Sequence, residues 1–338
     1  MAVAQGAPRR GALLSIKMPR GRGFNLGVYI GKRILWLVPV LFFVITITFI
    51  LMHFAPGSPW DREGRQLSPA IVANLDAKYG LNQPLLVQYG HYVWNVIHLD
   101  FGLSYQYEDQ PVSNLLLKSW PPTAVIGTLS FILIVFLGIG IGIVAALRQN
   151  TWVDFLAVGF STIGASVPNF VIGILLVIIF SVYAYRISGG NVFLPTGGFA
   201  LDQHLIMPVI TLAVLPIAFI SRLTRASTLE VLRQDYIRTA WAKGLRERLV
   251  VTKHVLKNSL IPVVSALGPT FAVLITGSVI VETVFAIPGI GRAFVVAVGS
   301  RDYPMILAST ILFSVIVALA NLVVDLLYTV IDPRVRLG

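Results

Sequence analysis

The chain has 338 residues, of which 56% are hydrophobic and 12% are charged. Its mean hydropathy is +0.81, and several apolar runs are long enough to cross a bilayer, which excludes an ordinary soluble domain. The net charge of +11 sits in short segments between these runs, as expected of cytoplasmic loops, and therefore disfavours nucleic-acid binding. The absence of cysteine excludes disulfides and thiolate metal sites.

The N-terminal part is predicted to be a basic cytoplasmic tail, residues 1–25, followed by a first membrane span at residues 34–54. This apolar run is longer than the core of about 7–15 residues found in a cleaved signal peptide. The stretch HFAPGSP that follows it is a poor cleavage site. We therefore predict an uncleaved span, which forms the segment of residues 26–121 together with an extracytoplasmic helical loop.

The extracytoplasmic loop is predicted to contain two helices. Ser68 is a candidate N-cap, Pro69 suits the first helical position, and Gly80 suits the end of the first helix. Apolar residues then recur at helical spacing through residues 85–97, together with Tyr and Trp side chains. This second helix is expected to lie on the outer membrane surface, against lipid headgroups or the spans, and ligand binding is the alternative role.

Five further apolar runs bring the predicted number of spans to six. They are residues 123–147, 153–184, 204–222, 260–283 and 306–330. The run of residues 153–184 is too long for one straight crossing, so we predict a helical segment on the cytoplasmic side and a kink at Pro168. In the run of residues 123–147, Gly138, Gly142 and Ala146 recur every four residues, which favours close helix packing over a nucleotide-binding loop.

The distribution of charge predicts how the spans are oriented. Most of the 26 Lys and Arg residues fall on the cytoplasmic side if both ends of the chain lie there, so an N-in and C-in topology is predicted. Asp154, Glu282 and Asp325 lie near predicted span ends, where local pairing or snorkelling explains them. The absence of an acid at the predicted mid-membrane positions disfavours a proton-driven secondary transporter.

The usual catalytic motifs are missing from the sequence. There is no phosphate-binding G-x-x-x-x-G-K-[ST], no H-E-x-x-H and no G-x-S-x-G. The five histidines have no metal-ligand spacing. We therefore predict no catalytic residue and no metal site, and a membrane enzyme or an assembly scaffold stays only as a competing hypothesis.

The basic segment of residues 223–259 is predicted to be a cytoplasmic loop that contains two helices. Asp235 is a candidate N-cap of the first helix and Gly244 a candidate C-cap, after which a second amphipathic helix continues into span five. Ala240 and Gly244 form a small face that another protein's backbone could approach, while the neighbouring basic side chains point to water or acidic partners. From the residues alone, binding of anionic lipid headgroups is an equal alternative.

The stretch RTAWAKGLRERLVVTKHVLKNSLIP resembles the cytoplasmic loop of importer permeases of the ABC class, specifically the B-type subunit of the dipeptide and oligopeptide permease family. The general form of that loop is E-A-A, three residues, G, nine residues and I-x-L-P. Ala240, Gly244 and Leu256 match it. The departures from the general form, which are similar to the peptide-subfamily variant, are Arg238, Thr239, His254 and Lys257.

Four other blocks resemble the same subunit in the same order. They are KYGLNQPLLVQYGHYVWNVIHLDFGLSY (78–105), ASVPNF (165–170), ETVFAIPGIGRAF (282–294) and VIDPRVR (330–336). The resemblance implies an all-α, polytopic membrane protein with six transmembrane helices, the type I ABC importer permease fold and an N-in, C-in topology. Its permease core would comprise residues 122–338.

The resemblance also implies the function. The chain would be the permease subunit of an ATP-driven importer of dipeptides or oligopeptides in a prokaryotic cell membrane. Nickel complexes or oligosaccharides are alternative cargoes, and an autonomous secondary transporter is a less favoured alternative. The implied partners are a second, C-type permease subunit, two ATP-binding subunits that hold ATP and Mg, and an extracytoplasmic solute-binding protein. No cofactor would bind to this chain itself.

Two sets of site residues follow from these expectations. Residues 235–247 would be the coupling helix, and its implied ATPase contacts are Asp235, Arg238, Thr239, Ala240, Lys243, Gly244 and Leu245. Candidates for lining the translocation pathway are Ser166, Pro168, Asn169, Ser265, Thr276 and Ser278. They are candidates because irregular backbone and hydroxyls at membrane depth are tolerated only against protein or a water-filled cavity. The alternative role of these residues is to form hydrogen bonds between helices.

The stretch IPGIG, residues 287–291, is predicted to form a tight re-entrant bend on the outer side. Proline and glycine together oppose a continuing helix at this position. The bend is expected to contact the delivering protein.

Overall fold

The computed structural model describes residues 26–54, 57–60, 68–191 and 193–331. The predicted tail of residues 1–25 and nearly all of the terminal block at 330–336 lie outside these residues. The regular structure of the described part is helical, apart from an isolated bridge between Leu103 and Pro111. The helices are α1 (Leu26–Phe54), α2 (Pro69–Tyr79), α3 (Leu85–Ile97), α4 (Val112–Leu147), α5 (Trp152–Ser166), α6 (Asn169–Val177), α7 (Ala184–Ile187), α8 (Ile206–Leu232), α9 (Asp235–Ala242), α10 (Glu247–Leu249), α11 (Leu256–Thr276), α12 (Val279–Val284), α13 (Ile290–Ser300) and α14 (Tyr303–Ile331). Two π-helical turns, Ile178–Tyr183 and Val250–Val255, join α6 to α7 and α10 to α11.

Within the described residues, six helical segments are long and apolar enough to cross a membrane, which confirms the predicted all-α architecture with six spans. They are Gly27–Phe54, Val112–Leu147, Asn169–Ile187, Gln203–Leu232, Glu247–Val284 and Tyr303–Leu326. Hydropathy alone misjudged several boundaries, among them the start of the first span, which lies at Gly27 and not at residue 34. The second span begins well before residue 123 because Val112 and Leu116 are buried and hold the first turns of α4, and the fourth helix continues past residue 222 because Thr224 and Thr228 pack inside the bundle.

The two helices of the first loop follow their sequence signals. α2 has Ser68 at its N-cap and Pro69 at its first position. It ends at Gly80, whose φ of 70° is the left-handed conformation that glycine adopts at no steric cost. α3 then covers the predicted second helix. The predicted pair of helices and their boundaries are confirmed.

The third apolar run is broken at the predicted proline. α5 ends at Ser166, and Val167 is extended, with φ −95° and ψ 124°. Pro168, also extended, precedes α6. Because proline forces the residue before it out of the helical region, the chain cannot continue as one helix. The predicted kink is therefore a complete helix break.

The fifth span, predicted at residues 260–283, is also interrupted, between α11 and α12. Gly277 has φ 98° and ends α11. Ser278 then starts α12 by accepting a hydrogen bond from the Val281 N–H. A bend separates α12 from α13 at residues 285–289, which is the bend that the stretch at 287–291 predicts.

The centre of the bundle is the contact between α4 and α8. A Cβ atom at Gly138 would overlap the side chain of Ile220, and one at Gly142 would overlap Thr224 and the Ser221 carbonyl. Only glycine therefore permits this helix separation, which confirms the packing role predicted from their spacing. Around this contact, the apolar core includes Ile134, Met207, Leu212, Val263 and Phe285.

The two ends of the bundle differ. At one end, which we call the α3 end, the last turns of α1 meet the first turns of α4 and α14. Phe49, Val112 and Tyr303 lie there in one buried cluster, and Tyr89 of α3 packs against it. Because α4 starts at this end and its Gly142 faces the last part of α8, α8 finishes at the opposite end. That opposite end, the α9 end, carries helix α9.

The described termini of the chain also lie at the α9 end. The Tyr29 hydroxyl of α1 donates a hydrogen bond of 2.9 Å to Asp325 of α14, and Arg33 forms an ion pair with the same carboxylate. Asp325 is thus neutralised locally, as its position near a span end predicts. An even number of crossings places the start of α1 and the end of α14 on one face.

Candidate functional site

Helix α9 is joined to the end of α8 by only two residues. Gln234, with φ −72° and ψ 146°, occupies the N-cap position, so the prediction that Asp235 is the N-cap is wrong by one residue. Asp235 lies instead in the first turn of α9. Its negative charge there is favoured by the exposed N–H groups and the dipole of the helix.

Helix α9 ends in a left-handed turn at Gly244, one residue beyond the C-cap position at which the sequence placed this glycine. Lys243 is the C-cap, and Gly244 has φ 73°. The Gly244 N–H donates to the carbonyl of Trp241 at 2.9 Å. No described atom lies within 4 Å of the point where a Gly244 Cβ would stand. The backbone conformation, and not crowding, therefore accounts for glycine at this position.

One side of α9 is buried within the chain itself. Ile237 is fully buried and Ala240 is 6% exposed, and both pack against Val250 and Val255 of the π-helical turn. Two residues three positions apart share one side of a helix, so Ala240 faces inward with Ile237. This corrects the prediction that Ala240 and Gly244 together present a small face to a partner.

The opposite side of α9 is open and carries the other predicted contacts. Its exposed members are Asp235, Arg238, Thr239, Lys243, Gly244 and Leu245, to which the structure adds Tyr236 and Trp241. We call these eight residues the α9 surface. Sequence reasoning did not assign a contact role to the two aromatics, although large aromatic side chains on a short polar helix are typical of protein interfaces.

Helix α9 is joined to two spans at once. Its N-terminal side follows directly from α8, and its buried side rests on the π-helical turn that leads into α11. In addition, the Asn258 side-chain amide donates a hydrogen bond of 2.9 Å to the Tyr236 hydroxyl. A displacement of α9 would therefore be transmitted to the ends of α8 and α11 together.

Helix α5 is bound to the same end of α8. Asp154 forms an ion pair with Arg225, and the hydroxyls of Ser161 and Ser221 lie 2.7 Å apart. The hydrogen bonds from Arg225 hold the pKa of Asp154 below its ordinary value, against the opposing effect of burial. Local pairing, as predicted, thus explains this acid, and it connects α5 to the base of α9.

The predicted pathway residues occupy three separate places along the bundle. Ser166, Pro168 and Asn169 flank the break between α5 and α6, Ser265 lies within α11, and Thr276 and Ser278 flank the break between α11 and α12. The hydroxyls of Ser166, Ser265 and Thr276 donate to backbone carbonyls of their own helices. The Oδ1 atom of Asn169 is buried and has no hydrogen-bond partner among the described residues. A pathway role for these residues stays a prediction.

A buried acid organises the bend between α12 and α13. Glu282 is 3% exposed, and its carboxylate accepts hydrogen bonds of 2.8 Å from the Thr123 hydroxyl of α4 and from the Arg292 N–H. The Thr123 oxygen accepts the Ile290 N–H at 2.9 Å. Gly289 leaves the space that the carboxylate occupies. Glu282 therefore stabilises the N-terminus of α13. It also connects α4 to the hairpin that α12 and α13 form around the bend, a role that the sequence did not predict.

Comparison with known proteins places this arrangement among membrane transport components. A family model described as the binding-protein-dependent transport system inner membrane component matches residues 138–337. A second model, for the N-terminal part of such membrane components, matches residues 27–127. Together they extend over the spans and the α9 surface.

Several curated relatives are similar over almost the whole chain. The oligopeptide transport system permease protein OppB of Escherichia coli (strain K12) is 44% identical over 308 residues, which cover 91% of this chain and 99% of the relative. The dipeptide transport system permease protein DppB of Bacillus subtilis (strain 168) is 39% identical over 310 residues, or 91% and 98% of the two chains. Among solved structures, an inward-facing MetNI methionine ABC transporter matches with a TM-score of 0.52 and 19% identity, over 66% of this chain and 99% of that chain. At this identity the likeness concerns the fold alone.

Proposed function

The chain belongs to the family of binding-protein-dependent transport system inner membrane components, and we propose that it is the permease subunit of an ATP-driven importer of oligopeptides or dipeptides. It is a multi-pass protein of the bacterial inner membrane with six spans. Its 44% and 39% identity to oligopeptide and dipeptide permeases, over nearly their full lengths, supports a peptide as the cargo.

The proposal rests on the way in which α9 is attached to the rest of the chain. One side is buried against this chain through Ile237 and Ala240, while the opposite side is open and carries a net positive charge, because Arg238 and Lys243 outnumber Asp235 there. A short helix held in this way suits insertion into a groove of a cytoplasmic ATPase with acidic residues at its rim. Contact through the α9 surface would connect the ATPase to α8 and α11.

In the proposed mechanism, ATP binding closes a pair of ATPases and displaces α9. Because α8 and α11 are joined to α9, both spans move with it, and the pathway alternates between inward- and outward-facing states. ATP can shift this equilibrium only if the two states bind nucleotide with different affinity. The chain supplies the moving spans, and the ATPases supply the nucleotide sites with ATP and Mg.

The proposed assembly contains four other subunits. A second, C-type permease would complete the pathway, two ATP-binding subunits would bind at the α9 end, and a solute-binding protein would deliver the peptide at the α3 end. An N-in and C-in orientation is part of this proposal. The exposed basic side chains at the α9 end support it, since cytoplasmic segments are enriched in Lys and Arg.

The proposal is tested by transport in vesicles. The chain is reconstituted with the proposed permease, ATPase and binding-protein partners, and uptake of labelled dipeptides and longer peptides is measured. We expect uptake that requires both ATP and the binding protein. Uptake of nickel complexes or oligosaccharides without peptides would contradict the proposed cargo. Transport driven by a proton gradient in the absence of ATP would contradict the proposed permease role.

A further inference from the structure

Helix α3 is attached to the first span along one of its sides. The hydroxyls of Tyr89 and Thr46 lie 2.7 Å apart, and the Phe49 ring of α1 packs against both Tyr89 and Tyr92, with centroids 5.3 and 6.4 Å apart. The Nε2 atom of His53 lies 3.2 Å from the side-chain oxygen of Gln88. These contacts fix α3 against the last turns of α1.

A second side of α3 is apolar and open. Leu86, Trp94 and Ile97 are 85%, 65% and 69% exposed, and with Gly90 they recur at the spacing of one helix side. Leu99, just beyond the helix, continues this exposed apolar patch from a left-handed backbone conformation with φ 59°. Removal of such large apolar side chains from water is favourable.

The remaining side of α3 is polar. Gln88, His91 and Asn95 line a cavity of about 210 Å³ between α3 and the residues that follow it, among them Asp100. The helix therefore has one side on a span, one apolar side turned outward and one polar side turned to the extracytoplasmic loop. This division is typical of a helix that lies in the plane of a membrane interface.

The contacts with α1 also define the depth of α3. At about 1.5 Å per residue, the apolar run that begins at Ile34 reaches the far side of a hydrocarbon core of about 30 Å near Phe54. Thr46 and His53, which hold α3, thus lie in the half of this thickness nearer the α3 end. At the same level, Ile47, Leu51 and Phe54 of α1 are exposed, so the apolar side of α3 extends the membrane-facing surface of the span.

We propose that the apolar side of α3 is a membrane-anchoring surface, in which Leu86, Trp94 and Ile97 insert among phospholipid acyl chains of the leaflet at the α3 end. The anchor holds the extracytoplasmic loop against the bilayer and fixes its polar side toward the aqueous phase. This inference rests on α1 being a span and is independent of the cargo and of the ATPase.

The absence of cysteine from the chain allows a direct test. Single-cysteine variants Leu86→Cys and Ile97→Cys are labelled with a small fluorophore, and the purified transporter is reconstituted in phosphatidylcholine vesicles whose acyl chains carry bromine, a short-range quencher. Matched controls on the polar side of the same helix are His91→Cys and Asn95→Cys. Leu51→Cys, on the exposed side of α1, reports the signal of a lipid-facing site.

We expect brominated lipid to quench the labels at residues 86 and 97 about as strongly as the label at residue 51, and at least twofold more than the labels at 91 and 95. Aqueous iodide should quench in the reverse order. Equal access of iodide to all four α3 labels would show that the apolar side faces water. Protection of residues 86 and 97 from both quenchers would show that a protein subunit covers it. Either result would overturn the proposal.

Discussion

Two nitrogen atoms of Arg225 bind both carboxylate oxygens of Asp154, Nε to Oδ1 at 2.6 Å and Nη2 to Oδ2 at 2.7 Å. The Asn150 N–H donates a third hydrogen bond to this carboxylate, at 3.1 Å. The Asp154 side chain is only 4% exposed. Because Asp154 lies in the first turn of α5 and Arg225 lies two turns before the end of α8, the pair joins α5 to the base of α9.

Removal of one partner should be more harmful than removal of both. Arg225→Ala leaves Asp154 buried and unpaired, a change that costs about 3 kcal/mol and should lower the thermal midpoint in detergent by several degrees. The double variant Asp154→Ala with Arg225→Ala no longer contains the isolated charge and should recover part of this loss. Strictly additive single-variant effects in the double-mutant cycle would show that the two residues are not coupled.

Acid should weaken the same pair. Arg225 lowers the pKa of Asp154 in the folded state. The pair therefore stabilises the fold fully at a pH above the pKa that Asp154 has in the unfolded chain, which is about 4. This stabilisation is lost as the pH falls through the lower pKa of the folded state. The difference in thermal midpoint between the wild type and Asp154→Asn should therefore be constant from about pH 8 to pH 5 and shrink below about pH 4. A difference that changes between pH 6 and pH 8 would have to come from another group.

The hydroxyl of Thr123 should be needed for the hairpin of α12 and α13. Thr123→Val keeps the shape of the side chain but removes the donor to Glu282 and the acceptor for Ile290, which should cost about 1–3 kcal/mol. Thr123→Ser retains the hydroxyl and should stay close to the wild type. Thermal unfolding and hydrogen exchange of residues 279–300 measure the effect, and equal protection in both variants would contradict this role.

Gly289 should tolerate no larger residue. A Cβ atom there would overlap the Glu282 carboxyl group, so Gly289→Ala should displace the carboxylate from the N-terminus of α13 and reduce both stability and transport. Gly299→Ala, near the end of the same helix, is the matched control because no described atom lies within 4 Å of its Cβ position. Similar losses in the two variants would show that helix packing in general, and not the Glu282 contact, is responsible.

Much of the fold could be predicted from local patterns. Apolar run length identified six spans, the Ser68, Pro69 and Gly80 signals placed α2, and the spacing of Gly138 and Gly142 indicated a close helix contact. These signals are local because each depends on the length or backbone conformation of one segment. The break at Pro168 was also visible in the sequence, although proline alone did not distinguish a kink from a complete interruption.

The remaining features depend on tertiary contacts. The inward orientation of Ala240 could not be predicted because it depends on where the π-helical turn at Val250–Val255 lies relative to α9. The role of Glu282 depends on Thr123, 159 residues earlier in the chain. The extension of α8 past residue 222 follows from burial of small polar side chains, which hydropathy counts as unfavourable. The six predicted pathway residues share no local signal that would bring them together.

Cross-linking between α9 and the ATPase tests most directly whether the α9 surface is the contact that couples the two subunits. Arg238→Cys and Lys243→Cys, on the α9 surface, are compared with Ala240→Cys, which faces the interior, in membranes that contain an ATPase with one cysteine in its permease-binding groove. We predict rapid disulfide formation at residues 238 and 243, sensitivity of its rate to ATP, and little at residue 240. The absence of cross-links at both surface positions in a complex that still transports peptide, or preferential cross-linking at residue 240, would contradict the account.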